Sequence, residues 1–238
     1  MARKEHEHPL LQNTVKDFVL VACLGGLAIA IAILVAIPSS LRGVQRADDA
    51  FLRLVLRHRT GSLTAVAKVL NVLGASVVTL PVRILAAGYL AIRRRWWHVA
   101  AFVSAIALSE IVTRIMKSAY DRQRPPGSLV HTTASSFPSG HAVATSVTVV
   151  ALVIAFVPTG RQRAIWGTVA TVFSFLMAIS RAYLAAHWLS DAIEGTLIGV
   201  TCAMLPAILI EEIRERRHRR AVGPTPRAEA EPAPPSPG

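Results

Sequence analysis

Cysteine and charged residues are both scarce in this chain of 238 residues. The two cysteines, Cys23 and Cys202, lie inside long apolar runs and can build neither a disulfide framework nor a thiolate metal site. Charged residues make up 17% of the chain, against about 25% in soluble domains, whereas hydrophobic residues make up 53%. This composition argues against an ordinary soluble domain and against a disordered chain, and it predicts a membrane protein.

Acidic residues are also in the minority, with 14 Asp and Glu against 26 Lys and Arg, which gives a net charge of +12. A nucleic-acid-binding protein would show the same surplus. Here, however, the basic residues lie between long apolar runs, as they do in the loops on the cytoplasmic side of a membrane protein. We therefore expect membrane lipids, and no nucleic acid, as partners.

The first apolar run covers residues 18–37, contains no charge and is followed by Pro38. It is long enough to span the hydrocarbon core of about 30 Å. It also exceeds the apolar region of a signal peptide, and no clear cleavage site follows, so we expect a retained membrane helix. Further apolar runs predict membrane helices near residues 76–92, 97–116, 142–158, 164–184 and 188–210.

Two other segments do not fit a membrane span. Residues 42–59 alternate Arg with Leu, Val and Phe, a pattern typical of an amphipathic helix at the membrane surface. The apolar stretch from 63 to 92 is too long for one straight span, which predicts a short interfacial helix near 61–74 before the helix at 76–92.

The predicted architecture is therefore all-α: a polytopic membrane protein with six transmembrane helices in a bundle and additional interfacial helices. Residues 18–210 form the membrane domain, and 1–17 form a short N-terminal segment. Residues 211–238 form a tail that is basic as far as Arg220 and then rich in Pro and Ala, where we expect disorder. Six crossings place both termini on one side. The surplus of Lys and Arg there predicts that this side is the cytoplasm and the membrane the cell membrane.

Three polar clusters then reach the opposite side together. The first contains Lys117, Arg124 and Pro125, the second is Pro138-Ser139-Gly140-His141, and the third contains Ser180, Arg181, His187 and Asp191. A single histidine near a helix end is usually only an interfacial polar residue. Ionisable residues at membrane depth are costly, however, and three clusters on one side indicate a functional site.

The residue types in these clusters suit a phosphate group. Lys117, Arg124 and Arg181 supply three positive charges for a phosphate dianion. Ser139 and Gly140 come just before a helix that begins near His141, and the N–H groups at a helix N-terminus bind phosphate oxygens.

The two histidines supply the reactive groups. His187 and Asp191 are four residues apart, which predicts that they share one helix face. A carboxylate in that position holds an imidazole in one tautomer and stabilises its positive form. His141 is a second histidine, available as a general acid or base. No Asp, Glu and His residues stand at metal-ligand spacing, so we expect no metal and no cofactor.

Three motifs, in their order along the chain, resemble those of the type 2 phosphatidic acid phosphatase superfamily. They are Lys117-x6-Arg124-Pro125, Pro138-Ser139-Gly140-His141 and Ser180-Arg181-x5-His187-x3-Asp191. The resemblance implies a metal-independent phosphatase that acts on lipid phosphates or diphosphates. His187 would be the nucleophile that forms a phosphohistidine, Asp191 would orient it, and His141 would protonate the leaving group. The residues that would bind the phosphoryl oxygens are Lys117, Arg124, Ser139, Gly140, Ser180 and Arg181.

Several alternatives remain open at this stage. A site that faces outward suits undecaprenyl diphosphate, while phosphatidylglycerol phosphate and phosphatidate remain open as substrates, since nothing in the membrane helices indicates the head group. A phosphotransferase of the same superfamily would pass the phosphoryl group to an acceptor instead of water. A catalytically dead scaffold or transporter would tolerate His187→Ala. The oligomeric state is not predicted.

Overall fold

A computed structural model describes residues 8–11, 14–132 and 135–222, and within these ranges its regular structure is eight α-helices. They are α1 (Thr14–Ala36), α2 (Pro38–Arg57), α3 (Gly61–Leu73), α4 (Ser76–Ile92), α5 (Trp96–Ala119), α6 (Gly140–Phe156), α7 (Arg161–Tyr183) and α8 (Leu189–Val222). The predicted all-α fold class is confirmed. The part of the predicted disordered tail from residue 223 onward lies outside the described residues.

The helix ends follow from local sequence signals. Pro38 occupies the start of α2, where its missing N–H is not needed, so the chain turns directly out of α1. Thr60 caps α3 by accepting the Leu63 N–H at 3.3 Å. The amphipathic segment predicted at 42–59 corresponds to α2, and the short helix predicted near 61–74 corresponds to α3.

The helices α6 and α8 form the centre of the bundle, with α5, α1 and α7 packed around them. Gly195 and Gly199 lie one turn apart on α8 and allow the backbones of α6 and α8 to approach each other closely. A Cβ atom on Gly195 would stand 2.6 Å from the Ser139 carbonyl oxygen, and one on Gly199 would stand 2.8 Å from the Val143 oxygen. This contact fixes the start of α6 against the first turns of α8.

The outer faces of the bundle carry large apolar side chains. Ile29 on α1, Leu85 on α4 and Phe175 on α7 are all more than half exposed. A surface of this kind fits acyl chains and not water. The protein is therefore a multi-pass membrane protein.

Length and hydropathy identify fewer spans than the six predicted. Within the described residues, α1, α5, α7 and α8 are long and apolar enough to cross a membrane. The pair α3 and α4 makes a fifth candidate if the two helices, which meet at a 44° bend, are taken as one broken span. Helix α6 is apolar but has only 17 residues. By these criteria the count of six is not reached.

At the end of the bundle away from the polar clusters, residues 8–11 form an N-terminal strap. The Leu10 N–H donates to Glu211 Oε2 at 3.0 Å, and the carbonyl oxygens of Leu10 and Val157 both accept from Arg163. The Leu10 side chain is fully buried. The start of the described chain is thus fixed beside residues 211–214 of α8.

Candidate active site

His187 lies in the turn between α7 and α8. Helix α7 closes with Ala185 in the left-handed region at φ 51°, and the Ala186 N–H returns to the Arg181 carbonyl at 3.1 Å. The prediction that His187 shares a helix face with Asp191 is therefore wrong, because α8 begins only at Leu189. The four-residue spacing resembles that of a helix, but the left-handed residue ends α7 and turns the chain before the next helix starts.

The His187 ring is held in one tautomer. Its Nδ1 is 2.6 Å from the Ser136 carbonyl oxygen, which can only accept, so Nδ1 carries the proton. The opposite nitrogen, Nε2, therefore bears the lone pair and accepts from Arg124 Nη1 at 3.2 Å. Burial lowers the pKa of His187 well below its usual range, and the charges of Arg124, Arg181 and Lys117 lower it further. The imidazole is neutral at pH 7 and available as a nucleophile.

Asp191 lies beside this ring without a direct hydrogen bond to it. Its Oδ2 is 3.9 Å from His187 Nδ1, an ion-pair distance. The fully buried carboxylate accepts the Trp188 N–H at 3.0 Å and also accepts from the Ser136 hydroxyl. Asp191 is in the first turn of α8, where a carboxylate caps the backbone and interacts favourably with the helix dipole. Ser136 thus contacts both His187 and Asp191.

A second carboxylate, Asp48 of α2, is connected to Asp191 through Arg122. Arg122 Nη1 donates to Asp191 Oδ1 at 2.5 Å, and Nη2 donates to Asp48 Oδ2 at 2.7 Å. Asp48 also accepts from Ser190, through the backbone N–H at 2.9 Å and the hydroxyl at 2.6 Å. We call Asp48, Arg122 and Asp191 the carboxylate bridge. Sequence analysis missed Asp48 and Arg122, because both stand among other charged residues and no motif spacing connects α2 with α8.

Backbone carbonyl groups orient the two cations of the first cluster. Lys117 Nζ donates to the Ser135 carbonyl at 2.9 Å, and Arg124 donates to the carbonyls of Ala186, at 2.5 Å, and Ser135, at 3.3 Å. Burial lowers the pKa of Arg124, although the neighbouring Asp191 carboxylate partly offsets this effect. Carbonyl groups carry no net charge, so these contacts orient the two cations without neutralising them.

Arg181 and His141 share a partner on α3. Arg181 Nη1 donates to the Asn71 side-chain oxygen, and a hydrogen bond joins the His141 ring to the Asn71 backbone. The charges of Arg181, Arg124 and Lys117 act on His141 as they do on His187, so both histidines lie beside the same three cations. Asn71 was not predicted, since in the sequence it is only a single polar residue within an apolar stretch.

The second cluster forms the start of α6. Ser139 is the residue before Gly140, and its N–H donates to the Asp191 carbonyl at 3.0 Å, which ties the two helix starts together. The first N–H groups of a helix have no partner within the helix and can bind oxygens of an anion. Among the described residues, Ser139 Oγ and Arg181 Nε are buried without a hydrogen-bond partner in the protein. These two atoms are available to the oxygens of a ligand.

Ser180 was predicted to bind phosphoryl oxygens, but its hydroxyl makes a hydrogen bond inside its own helix. Its Oγ donates to the Met177 carbonyl at 2.8 Å, within α7 itself. The side chain is buried. The other predicted residues meet where the loop segments 120–132 and 135–139 and the turn 184–188 cover the starts of α6 and α8. As to metal ligands, no three His, Cys, Asp or Glu side chains come together in the part of the chain that the structure describes.

Comparison with known proteins identifies relatives of this chain. The sequence model of the PAP2 superfamily matches residues 98–214. Phosphatidylglycerophosphatase B of Bacillus subtilis is 27% identical over 183 residues, which cover 74% of this chain and 89% of the relative.

Two solved structures share the fold. One is a transmembrane PAP2-type phosphatidylglycerolphosphate phosphatase from Bacillus subtilis, with a TM-score of 0.69, 24% identity, and coverage of 82% of this chain and 96% of the other. The second is Aquifex aeolicus LpxE, with a TM-score of 0.53, 24% identity, and coverage of 65% and 91%.

Proposed function

The chain belongs to the type 2 phosphatidic acid phosphatase (PAP2) superfamily and is a membrane phosphatase of lipid phosphates, and from this premise we propose that it hydrolyses phosphatidylglycerol phosphate through a phosphohistidine on His187. The observation that carries the mechanism is the orientation of the His187 ring. Its Nδ1–H is bound to Ser136, so the Nε2 lone pair faces Arg124 and the other cations. A phosphate group held by these cations is presented to the nucleophilic nitrogen.

In the first step, His187 Nε2 attacks phosphorus. The N–P bond forms as the bond from phosphorus to the lipid oxygen breaks, and His141, which takes up a proton when the phosphate dianion binds beside it, gives that proton to the departing oxygen. Lys117, Arg124 and Arg181, with the N–H groups at the start of α6, stabilise the charge on the three equatorial oxygens. The buried Asp191 carboxylate stabilises the positive charge that develops on the imidazole.

In the second step, water releases the phosphate. His141, now neutral, takes a proton from the water as its oxygen attacks phosphorus, and the N–P bond breaks. Inorganic phosphate leaves, His187 returns to its neutral form, and His141 is again protonated. Every group in this cycle is supplied by the protein and the water, so the proposed cycle needs no metal.

The choice of substrate rests on the relatives. A phosphatidylglycerophosphatase matches over 89% of its own length, which favours phosphatidylglycerol phosphate over the undecaprenyl diphosphate and phosphatidate also expected from the sequence. Purified protein should release phosphate from a panel of these three lipids, and phosphatidylglycerol phosphate should give the highest kcat/KM. A higher kcat/KM on undecaprenyl diphosphate would overturn the substrate assignment but leave the mechanism intact.

The mechanism is tested with the same assay. His187→Ala should abolish phosphate release, with a loss of several orders of magnitude, as when one member of a catalytic triad is removed. His131→Ala is the matched control, because His131 is an exposed histidine in the loop 120–139. Near wild-type release by His187→Ala would exclude His187 as the nucleophile.

Activity should survive a chelator and fall with vanadate. The same yield of phosphate with and without an alcohol acceptor would exclude a phosphotransferase.

We also propose that the site faces the outside of the cell. The support is the cluster of Arg at the end of α8, beside the N-terminal strap and opposite the candidate site, since basic residues next to a span favour the cytoplasm. A fluorescent protein fused after Arg220 should fluoresce, and alkaline phosphatase fused there should be inactive. Fusions after Gly127, in the loop at the other end, should give the opposite pattern. Active alkaline phosphatase after Arg220 would reverse the orientation.

A further inference from the structure

We propose that Asp48 is a positioning residue for the reaction, acting on His187 through Arg122 and Asp191. This inference rests on the proposed phosphohistidine mechanism. Asp48 belongs to α2, outside the part of the chain that the PAP2 superfamily model matches. It is 3% exposed, on a helix whose other charged side chains are largely exposed or half-buried.

A continuous chain of short contacts leads from Asp48 to the nucleophile. Asp48 binds Arg122 at 2.7 Å, and Arg122 binds Asp191 at 2.5 Å. Asp191 accepts from the Ser136 hydroxyl, and the carbonyl of the same Ser136 accepts from His187 Nδ1 at 2.6 Å. Each member of the chain is nine-tenths or more buried, so water does not screen it.

The charges of the carboxylate bridge give Asp48 its effect. Two carboxylates share one guanidinium, so the bridge keeps one net negative charge beside His187. Burial makes such a charge costly unless it meets a positive partner. That partner appears when His187 attacks phosphorus and its imidazole becomes positive. Without the Asp48 charge, Arg122 and Asp191 form a neutral pair, and the imidazolium loses part of its stabilisation.

Asp48 also holds the start of α8 in place. Its carboxylate accepts the Ser190 N–H and hydroxyl, one residue before Asp191, and Ser190 Oγ in turn accepts from Arg122 at 2.7 Å. The position of the Asp191 side chain is thereby fixed both by the backbone at Ser190 and by the guanidinium of Arg122. Asp48 contacts neither His187 nor any of the three phosphate-facing cations, so its removal affects the chemical step and not substrate binding.

The experiment is a steady-state comparison of Asp48→Asn with the wild type on phosphatidylglycerol phosphate. Asp48→Asn keeps the shape of the side chain and removes its charge. We expect kcat to fall about 10- to 100-fold, as for other residues that orient a reactive group, while KM stays within about twofold. The matched control is Glu215→Gln, which removes a carboxylate charge at the other end of α8, where Glu215 pairs with Arg219 at 3.1 Å. Its kcat should equal that of the wild type.

A double-mutant cycle separates positioning from a merely structural role. If Asp48 acts through Asp191, then Asp48→Asn adds little further loss in the Asp191→Asn background. Losses that multiply, or a rise in KM at unchanged kcat, would overturn the proposal. Thermal unfolding of each variant in detergent identifies any general loss of structure.

A milder variant keeps the proposal testable if Asp48→Asn does not fold. Ser190→Ala removes only the hydroxyl between Arg122 and Asp48 and should lower kcat about tenfold, in line with the loss of hydrogen bonds to charged groups. A wild-type kcat for Ser190→Ala would overturn the proposal. Failure of the underlying mechanism is distinguishable, because in that case His187→Ala itself would remain active.

Discussion

Gly195 of α8 and Ser139 at the start of α6 lie so close that a methyl group on Gly195 would stand 2.6 Å from the Ser139 carbonyl oxygen. The same Ser139 donates its N–H to the Asp191 carbonyl at 3.0 Å. Gly195 therefore determines how closely the first N–H groups of α6 approach the first turn of α8, which carries Asp191.

Gly195→Ala should lower both stability and activity. The added Cβ meets backbone, which cannot move aside as a side chain can, and overpacking of this kind costs about 1–3 kcal/mol. Thermal unfolding in detergent and phosphate release measure the two effects. Gly88→Ala on α4 is the control, because nothing lies within 4 Å of the added atom. Unchanged activity of Gly195→Ala would show that α6 can shift without harm to the site.

Asn71→Ala should weaken binding of the phosphate group and slow its release. The substitution removes the oxygen that accepts from Arg181, which leaves a buried guanidinium without that partner and free to turn. A hydrogen bond to a charged group is worth about 1.5–3 kcal/mol, so kcat/KM should fall by roughly tenfold or more. Lys68→Gln, at an exposed position on the same helix, should behave as the wild type. Equal kcat/KM in both variants would exclude a role for Asn71.

The pH dependence of stability should report the neutral state of His187. Its pKa is lowered in the folded protein and is about 6.5 in the unfolded chain, so below pH 6.5 the unfolded state binds a proton that the folded state does not. The free energy of unfolding should thus fall as the pH decreases from about 6.5, by up to 1.4 kcal/mol per pH unit.

His187→Gln tests this prediction, because glutamine does not titrate. Its unfolding midpoint should decline less between pH 7.5 and pH 5 than that of the wild type. Burial also lowers the pKa of His8, which acts in the same direction, so the informative quantity is the difference between the two proteins. Parallel declines would mean that His187 is protonated in the fold.

Arg163→Met should release the N-terminal strap. Arg163 donates to the carbonyls of Leu10, Val157 and Ile154, and methionine keeps the apolar stem but no donor. Hydrogen exchange at residues 10 and 11 should accelerate, and the unfolding midpoint should fall, since carbonyl groups lose a charged donor. Arg161→Met, two residues earlier and exposed, should leave exchange unchanged. Slow exchange in both variants would assign the strap's stability to Leu10 packing alone.

The sequence predicted the elements that depend on local pattern. The apolar runs at 18–37, 97–116 and 164–184 correspond to α1, α5 and α7, and three spaced motifs identified the side chains that surround His187. What it could not predict depends on packing between distant elements. Asn71 and Asp48 reach the site from α3 and α2, and neither belongs to a periodic pattern. The left-handed residue Ala185 carries no signal, because glycine and not alanine usually marks such a turn.

The N-terminal strap also constrains the parity of the membrane crossings. Leu10 is bonded to Glu211 at 3.0 Å, so the chain enters α1 and leaves the apolar part of α8 on the same side of the bilayer. A chain that returns to its starting side crosses an even number of times. We therefore infer an even number of crossings. Because Arg163, at the start of α7, contacts Leu10 whereas the start of α6 contacts Asp191, the 17-residue α6 runs between the two ends of the bundle, which favours a crossing helix despite its length.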